Sequence, residues 1–227
     1  MSGRKTRGKF ITIEGLDGCG KSTQLEKLAA VLRAEGVEVV VTREPGGTPA
    51  GEKIRAVLLD SHTGDLSPWA ELAMMFASRA QHIHEVILPA LNAGKFVLCD
   101  RFTDSSEAYQ GGGRKLGSEP VLRLHEILCQ GLQPDMTILM VSDVAKSVAR
   151  ARKRNLAKDP NSIADENRFE QENRAFFQRV LDKYLEIAKR EPDRVFAVDA
   201  KPPAEVVHPQ IVAEVRRRLT GKKASGF

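Results

Sequence analysis

Residues 15–22 read Gly15-Leu16-Asp17-Gly18-Cys19-Gly20-Lys21-Ser22 and match G-x-x-x-x-G-K-[ST] at every fixed position. No other stretch constrains the fold as much, because this motif works only between a buried strand and the start of a helix. Both flanks comply. Phe10-Ile11-Thr12-Ile13 reads as a short buried strand, and Leu25, Leu28, Ala29 and Leu32 recur at helical spacing behind the loop. Glycines let backbone N–H groups close on phosphate oxygens, and the helix start adds the positive end of its dipole. Lys21 supplies a mobile charge for the outer phosphates and Ser22 a hydroxyl for Mg²⁺. The loop is a site for a nucleoside triphosphate.

The chain of 227 residues is long enough for one domain with a large core. No apolar run reaches membrane-spanning length, and the basic, polar N-terminus has no signal-peptide core behind it. It reads as a flexible arm over residues 1–8. Cys19, Cys99 and Cys129 show no C-x-x-C spacing, which argues against a zinc site or a disulfide framework and fits a cytoplasmic chain. The net charge of +5 suits either a nucleic-acid surface or a pocket for small phosphate ligands. Basic residues gather in the N-terminal arm, at Arg150 to Arg154 and at Arg216 to Lys223.

Taken in order, Val37 to Val41 reads as a second buried strand, ending in the turn Thr42-Arg43-Glu44-Pro45-Gly46-Gly47-Thr48. A short helix follows with Ile54, Val57 and Leu58 on one face. Ser67-Pro68 then caps a long helix whose apolar residues Leu72, Met75, Phe76, Ile83, Val86, Ile87 and Leu91 recur every three or four positions, with Trp69 packed at its start. Pro89 bends or ends it. Phe96 to Cys99 is a third strand and delivers Asp100-Arg101 at its end. Gly111-Gly112-Gly113 reads as a turn before a helix near residues 120–130. Met136 to Val141 is the fourth strand, and a helix from Asp143 runs into the Arg150–Arg154 cluster. The polar run Asn155 to Asn167 looks like a flap over the site. Phe169, Phe176, Phe177, Val180, Leu181 and Leu185 form a further helical stripe, and Arg194 to Val198 a fifth strand before the last helix.

Continuously apolar strands alternating with helices imply a five-stranded parallel sheet with helices on both faces. Ligands in such sheets bind beyond the carboxyl ends of the strands. The loops at 15–22, 42–48 and 100–113 all leave at that edge, so one site uses all three. No Asn-Lys-x-Asp stretch is present for guanine. Instead Arg43, Arg55, Arg79 and Arg101 sit on that edge or on its helices, which makes sense if the acceptor is itself a phosphate. Bringing two anions together needs positive charge. A phosphomonoester with a second pKa of about 6 needs no general base, so catalysis reduces to positioning and electrostatics. A flap that excludes water fits transfer to phosphate rather than hydrolysis. His82 and His84, two apart on a helix, project about 200° apart and cannot share a metal. Cys19 reads as a small buried residue.

Glu14 to Thr23, T-R-E-P-G-G-T at 42–48, D-R-F-T-D-S-S-E-A-Y-Q-G-G-G-R at 100–114 and the Arg-rich segment together resemble bacterial thymidylate kinases over nearly the whole chain. The resemblance implies a three-layer P-loop kinase fold as a single domain over 1–227 with a short lid at 150–168. It implies phosphoryl transfer from ATP to dTMP with Mg²⁺, by a homodimer that uses no nucleic acid and no membrane and whose shared face includes the long 67–93 helix. Gly15, Leu16, Asp17, Gly18, Cys19, Gly20, Lys21, Ser22, Thr23 and Arg150 would hold ATP, and Ser22 and Asp100 the metal. Arg43, Arg55 and Arg101 would face the acceptor phosphate and Asp17 the sugar hydroxyl. Tyr109 would exclude a ribose 2′-hydroxyl, and Arg79, Ser106 and Gln110 would border the base. Lys21, Arg101 and a lid arginine, Arg154, would carry catalysis.

Two departures from the family pattern leave alternatives open. Relatives often place Phe where Met75 stands, so either Met75 or the neighbouring Phe76 covers the base. The lid sequence D-R-x-E is replaced by Asn167-Arg168-Phe169-Glu170, which leaves the parts of Arg168 and Glu170 undefined. Two other functions compete: a deoxynucleoside kinase, which needs a carboxylate base near the sugar, and an ATP-dependent nucleic-acid-binding switch.

Overall fold

The computed structural model describes residues 7–156, 168, 169 and 171–220, the side chains of 154–156 and 220 excepted. Strand β1 (Phe10–Gly15) is buried along its whole length. It pairs in parallel with β3 (Phe96–Asp100) on one side and β4 (Met136–Val141) on the other. Strands β2 (Val39–Arg43) and β5 (Val195–Asp199) form the edges, giving the order β2-β3-β1-β4-β5. Register places Asp100 opposite both Ile13 and Arg43. The carboxyl ends of β1, β2 and β3 therefore finish level, and their three loops leave side by side.

Helix α1 (Lys21–Ala34) starts at the end of the glycine loop and covers one face of the sheet together with α9 (Ala204–Val215). Between them Leu25, Leu28, Leu32, Ile211 and Val215 meet Ile11, Ile13 and Ile138. Each such side chain contributes about 1.5–3 kcal/mol on burial. The helix α2 (Pro49–Leu59) follows the second loop. The other face carries α3 (Pro68–His82), a π-helical turn (Ile83–Ile87) and α4 (Leu88–Asn92), with α6 (Ser118–Cys129) beside them. Ser67 Oγ accepts from Ala70 N at 3.2 Å and Pro68 opens the helix, as the sequence indicates. Pro89 neither ends the helix nor sits in its interior. The π turn before it resets the register, so Pro89 falls in the first turn of α4, where its missing N–H is harmless.

After β3 the chain forms a four-residue helix, α5 (Thr103–Ser106), that runs into a π-helical segment over Glu107–Gly113. The glycines expected to make a turn here are helical. They are small because α8 (Arg174–Arg190) lies against them: a Cβ on Gly113 would meet the Phe176 ring at 2.6 Å, and one on Gly112 the Lys183 Cβ at 2.8 Å. Helix α7 (Val144–Leu156) begins where Asp143 Oδ1 accepts from Lys146 N at 2.8 Å.

Other expectations need correction. Strand β2 is half-exposed because it is an edge, and it starts two residues late because Val37 N still bonds the end of α1 at Leu32 O. Val57 and Leu185 face solvent rather than the core, as does Trp69, which is 57% exposed. Phe169 precedes α8 instead of lying on its stripe. Of the expected arm, residues 1–6 lie outside the described residues, while Gly8 N is tied to Leu91 O at 2.8 Å.

Candidate active site

The glycine loop sits against α7 at a distance only glycine permits. Gly18 has φ 78°, and a Cβ there would stand 2.2 Å from Ser147 O and 2.9 Å from Ala151 N. That approach brings Arg150 to the rim of a trough of about 470 Å³ lined by Asp17, Gly18, Gly20, Lys21, Ser22, Thr23, Arg43, Asp100, Arg101 and Arg150. Lys21 is buried, its Nζ donating to Gly15 O at 3.2 Å and Leu16 O at 3.0 Å. Ser22 Oγ donates to Asp100 Oδ2 at 3.2 Å, and Asp100 Oδ1 is buried without a hydrogen-bond partner among the described residues. An unsatisfied carboxylate oxygen beside a hydroxyl is a donor set that suits a hard divalent cation.

A second cavity, narrower at about 100 Å³, opens beside the trough and shares Asp17, Glu44, Arg55 and Arg101 with it. Its remaining walls are largely apolar: Pro45, Leu59, Met75, Tyr109 and Phe169. Arg79 lies on its floor, 2% exposed, with Nε donating to Glu44 Oε2 at 2.7 Å and Nη2 to Phe102 O and Ser106 Oγ at 3.0 Å each. Its Nη1 has no hydrogen-bond partner among the described residues. Gln110 donates through Nε2 to Glu71 Oε1 at 2.7 Å, and its buried Oε1 has no partner among the described residues. Both Glu71 oxygens already accept from Arg114 and Oε2 also from Arg168, so Glu71 takes the donor end of the amide and fixes which end is free. The slot therefore offers one unused donor and one unused acceptor between apolar walls.

The two cavities meet at Arg101. Its Nη2 donates to Asp17 Oδ1 at 2.9 Å and Tyr109 OH at 3.2 Å, and its Nη1 to Ser105 Oγ at 2.9 Å and Tyr184 OH at 3.2 Å. Burial opposes its charge, yet Asp17 and the two tyrosine hydroxyls hold its pKa well above the ordinary arginine value. Burial likewise raises the Tyr109 hydroxyl pKa, so that ring stays a neutral donor. Arg55 donates to Pro45 O at 3.0 Å on the shared wall. Arg43 reaches the trough rim but is half-exposed and grips Glu52 at 2.9 and 3.0 Å.

Most residues expected from the sequence thus meet in one place. The exceptions have physical causes. Phe76 does not line the slot; it is fully buried in the core beneath α3, with the Arg79 guanidinium 4.7 Å above its ring. Met75, not Phe76, takes a place in the wall of the slot. Leu16 and Cys19 point into the core, so any phosphate contact from them is through the backbone. Burial raises the Cys19 thiol pKa, in keeping with an inert side chain. The Arg154 side chain, the greater part of the 155–167 flap and Glu170 lie outside the described residues.

Sequence reasoning missed Pro45, Leu59, Ser105 and Phe169 in the slot. It also missed Glu14, whose burial, with Asp104 nearby, pushes its pKa up to about 7 against the pull of Arg101 and hydrogen bonds from Ser105 and Phe102. Glu14 lines neither cavity. It is not placed to take a proton from a sugar hydroxyl, as a deoxynucleoside kinase requires.

A phosphate trough continuous with a cation-floored slot for a second, partly apolar substrate defines a P-loop phosphotransferase with two nucleotide sites. The chain belongs to the thymidylate kinase family. The family model described as "Thymidylate kinase" matches residues 13–211. The thymidylate kinase of Alkalilimnicola ehrlichii is 44% identical over 223 residues, covering 96% of this chain and 99% of that protein. That of Trichlorobacter lovleyi is 49% identical over 198 residues, covering 87% and 92%. The crystal structure of thymidylate kinase from Ehrlichia chaffeensis superposes with a TM-score of 0.72 at 31% identity, covering 92% of this chain and 99% of that one. The kinase reading stands; nothing in these likenesses favours the other two.

Proposed function

We propose that this kinase transfers the γ-phosphoryl group of ATP to dTMP, giving ADP and dTDP, through in-line attack by the acceptor phosphate at the junction of the two cavities. The observation that carries the reading is the unpaired donor–acceptor couple in the slot. Arg79 Nη1 offers a proton and Gln110 Oε1 a lone pair, which suits the O4 acceptor and N3–H donor of thymine. Cytosine presents the opposite pattern and would leave both protein groups facing like partners. Ser106 steadies Arg79, while Met75 and Phe169 supply apolar walls for the base and its methyl group.

In this reading the loop from Gly15 to Thr23 cradles the ATP phosphates, Lys21 turning from the loop carbonyls to the outer phosphates and Arg150 approaching from α7. Asp17 takes the acceptor's 3′-hydroxyl, and Tyr109, packed beside Asp17 at 3.3 Å, leaves no room for a 2′-hydroxyl. Arg43, Arg55 and Arg101 gather on the acceptor phosphate. Arg101 bridges both anions, and the lid's Arg154 adds a catalytic charge. Ser22 and Asp100 would hold Mg²⁺, which when bound would supply positive charge against the ATP phosphates. No general base is required, because the acceptor oxygen is already ionised near neutral pH.

The enzyme works as a cytoplasmic homodimer in this reading. No helix among the described residues is long and apolar enough to cross a membrane. Exposed Trp69 on α3 and Leu122 and Leu128 on α6 are apolar surface of the kind a subunit interface covers. Light scattering of the purified chain should give twice the monomer mass. A coupled ADP-release assay across dTMP, dUMP, UMP, dCMP, AMP and GMP tests the reaction. dTMP should be the best acceptor and the ribonucleotides the worst; faster turnover of UMP or AMP would refute the assignment.

A further inference from the structure

Arg101 is held in an unusual conformation. Its φ of 74° lies in the left-handed region, where a side chain crowds the following carbonyl and the backbone persists only if its surroundings fix it. Two hydrogen bonds do this. Arg101 N donates to Ile13 O at 3.0 Å, and the next peptide, Phe102 N, donates to Glu14 Oε1 at 2.7 Å.

The second oxygen of the same carboxylate acts on the other end of the residue. Glu14 Oε2 accepts from Ser105 Oγ at 2.6 Å and from Tyr184 OH at 2.9 Å. These are the two hydroxyls that accept from Arg101 Nη1. Each hydroxyl has a single proton. The two hydroxyls also bond each other at 2.8 Å, so the pair passes its protons to Glu14 and between its members and leaves only lone pairs toward the guanidinium, which is all donors. Reverse the hydroxyls and their protons would face a cation. Glu14 makes no hydrogen bond or ion pair to the Arg101 side chain among the described residues and lines neither cavity, yet both ends of Arg101 terminate on its two oxygens. It also immediately precedes the glycine loop on β1, so the same side chain ties the phosphate cradle to the bridging arginine.

We propose that Glu14 is the positioning residue for Arg101, fixing both its backbone turn and, through Ser105 and Tyr184, the direction of its guanidinium. The proposal rests on the reading of Arg101 given under the proposed function. A carboxylate in this position is otherwise hard to account for: it is fully buried in a strand, beside Asp104, and among the described residues it is satisfied by these contacts alone.

The decisive substitution is Glu14→Gln. Its carbonyl can still accept from Phe102, but its amide donates to both hydroxyls, and even with one proton held in the Ser105–Tyr184 bond the other turns toward Arg101. With dTMP as acceptor, kcat should fall by about 10²-fold, the scale of a small misplacement of a catalytic group, while the KM for ATP stays unchanged. A purely structural role would lower the melting temperature without that split. Tyr184→Phe keeps the buried ring and removes one relay, so kcat should drop about tenfold. In the Ser105→Ala/Tyr184→Phe background, Glu14→Gln should cost less than about threefold more, because its route to the guanidinium is gone. Effects that simply multiply would overturn the proposal, as would wild-type kcat in Tyr184→Phe and in the double variant, which decides the matter even if Glu14→Gln fails to fold. Arg101→Ala separates the two readings. If it is active, the role of Arg101 is wrong; if it is inactive while the Glu14 and Tyr184 variants are normal, the positioning role is wrong.

Discussion

Asp17 and Arg101 stand 84 residues apart in the chain, and their side chains meet at 2.9 Å where the two cavities join. The pair explains an oddity of the glycine loop. An acid inside a phosphate cradle repels its ligand unless a cation takes up its charge. Arg101 does so from the end of β3, which the sheet register sets level with the end of β1.

Asp17→Ala should therefore act on the two substrates unequally. On the proposed reading it removes a contact to the acceptor, and it releases Arg101, so kcat/KM for dTMP should fall about 10- to 100-fold, the effect of one charged hydrogen bond. The loop meanwhile loses a negative charge, and the KM for ATP should stay level or drop. Initial-rate kinetics with each substrate varied in turn will show this; equal losses for both would contradict the acceptor role.

Acid should weaken the fold through His125. Its ring is buried, bonded to Thr103 Oγ1 at 2.8 Å, and burial, followed by the charges of Arg79 and Arg194, pulls its pKa from 6.5 down to about 4. Between these values the unfolded chain takes up a proton that the folded one refuses. Stability thus declines as pH falls from about 6.5 towards 4 and the decline from this group ends there. Urea midpoints at intervals from pH 7 to pH 4 should fall more steeply for the wild type than for His125→Gln. Parallel curves would mean that other groups govern the acid limb.

What could be read before the structure depended on where the information lies. The glycine loop, the 42–48 turn and Asp100-Arg101 are local chemistry at strand ends, and the alternation of strands and helices fixed their common edge. Helical spacing on α3 gave a stripe but not which of Met75 and Phe76 faced inward, because adjacent residues differ by only 100°. In the structure Phe76 goes to the core, with the Arg79 guanidinium 4.7 Å above its ring. Phe169 and Glu14 were beyond reach for a different reason. Each matters through partners distant in sequence, Tyr109 for one and Tyr184 for the other, and the 111–113 glycines looked like a turn because α8 was not there to be seen.

Those glycines give a stability test. Gly113→Ala puts a methyl group 2.6–2.7 Å from the Phe176 ring and 3.0 Å from Val180 Cγ2, and both neighbours are in the core under α8. Helix propensity alone would favour alanine by about 1 kcal/mol. Overpacking at these distances outweighs it, and unfolding free energy should fall by about 1–3 kcal/mol, read from urea denaturation. A stabilised variant would show that α8 moves away freely.

Base selectivity provides the sharpest test of the slot. Glu71 holds the Gln110 amide so that its oxygen is the free end, and thymine N3–H is the group that oxygen suits. Gln110→Ala removes the acceptor, so kcat/KM for dTMP should fall about 10- to 100-fold, matching one buried hydrogen bond at roughly 1–3 kcal/mol. dCMP, which the oxygen repels, should lose little or improve. The ratio of the two substrates therefore narrows from the dTMP side, and competition between dTMP and dCMP in a single reaction measures it directly. If both substrates lose activity in proportion, Gln110 supports the shape of the slot and does not read the base.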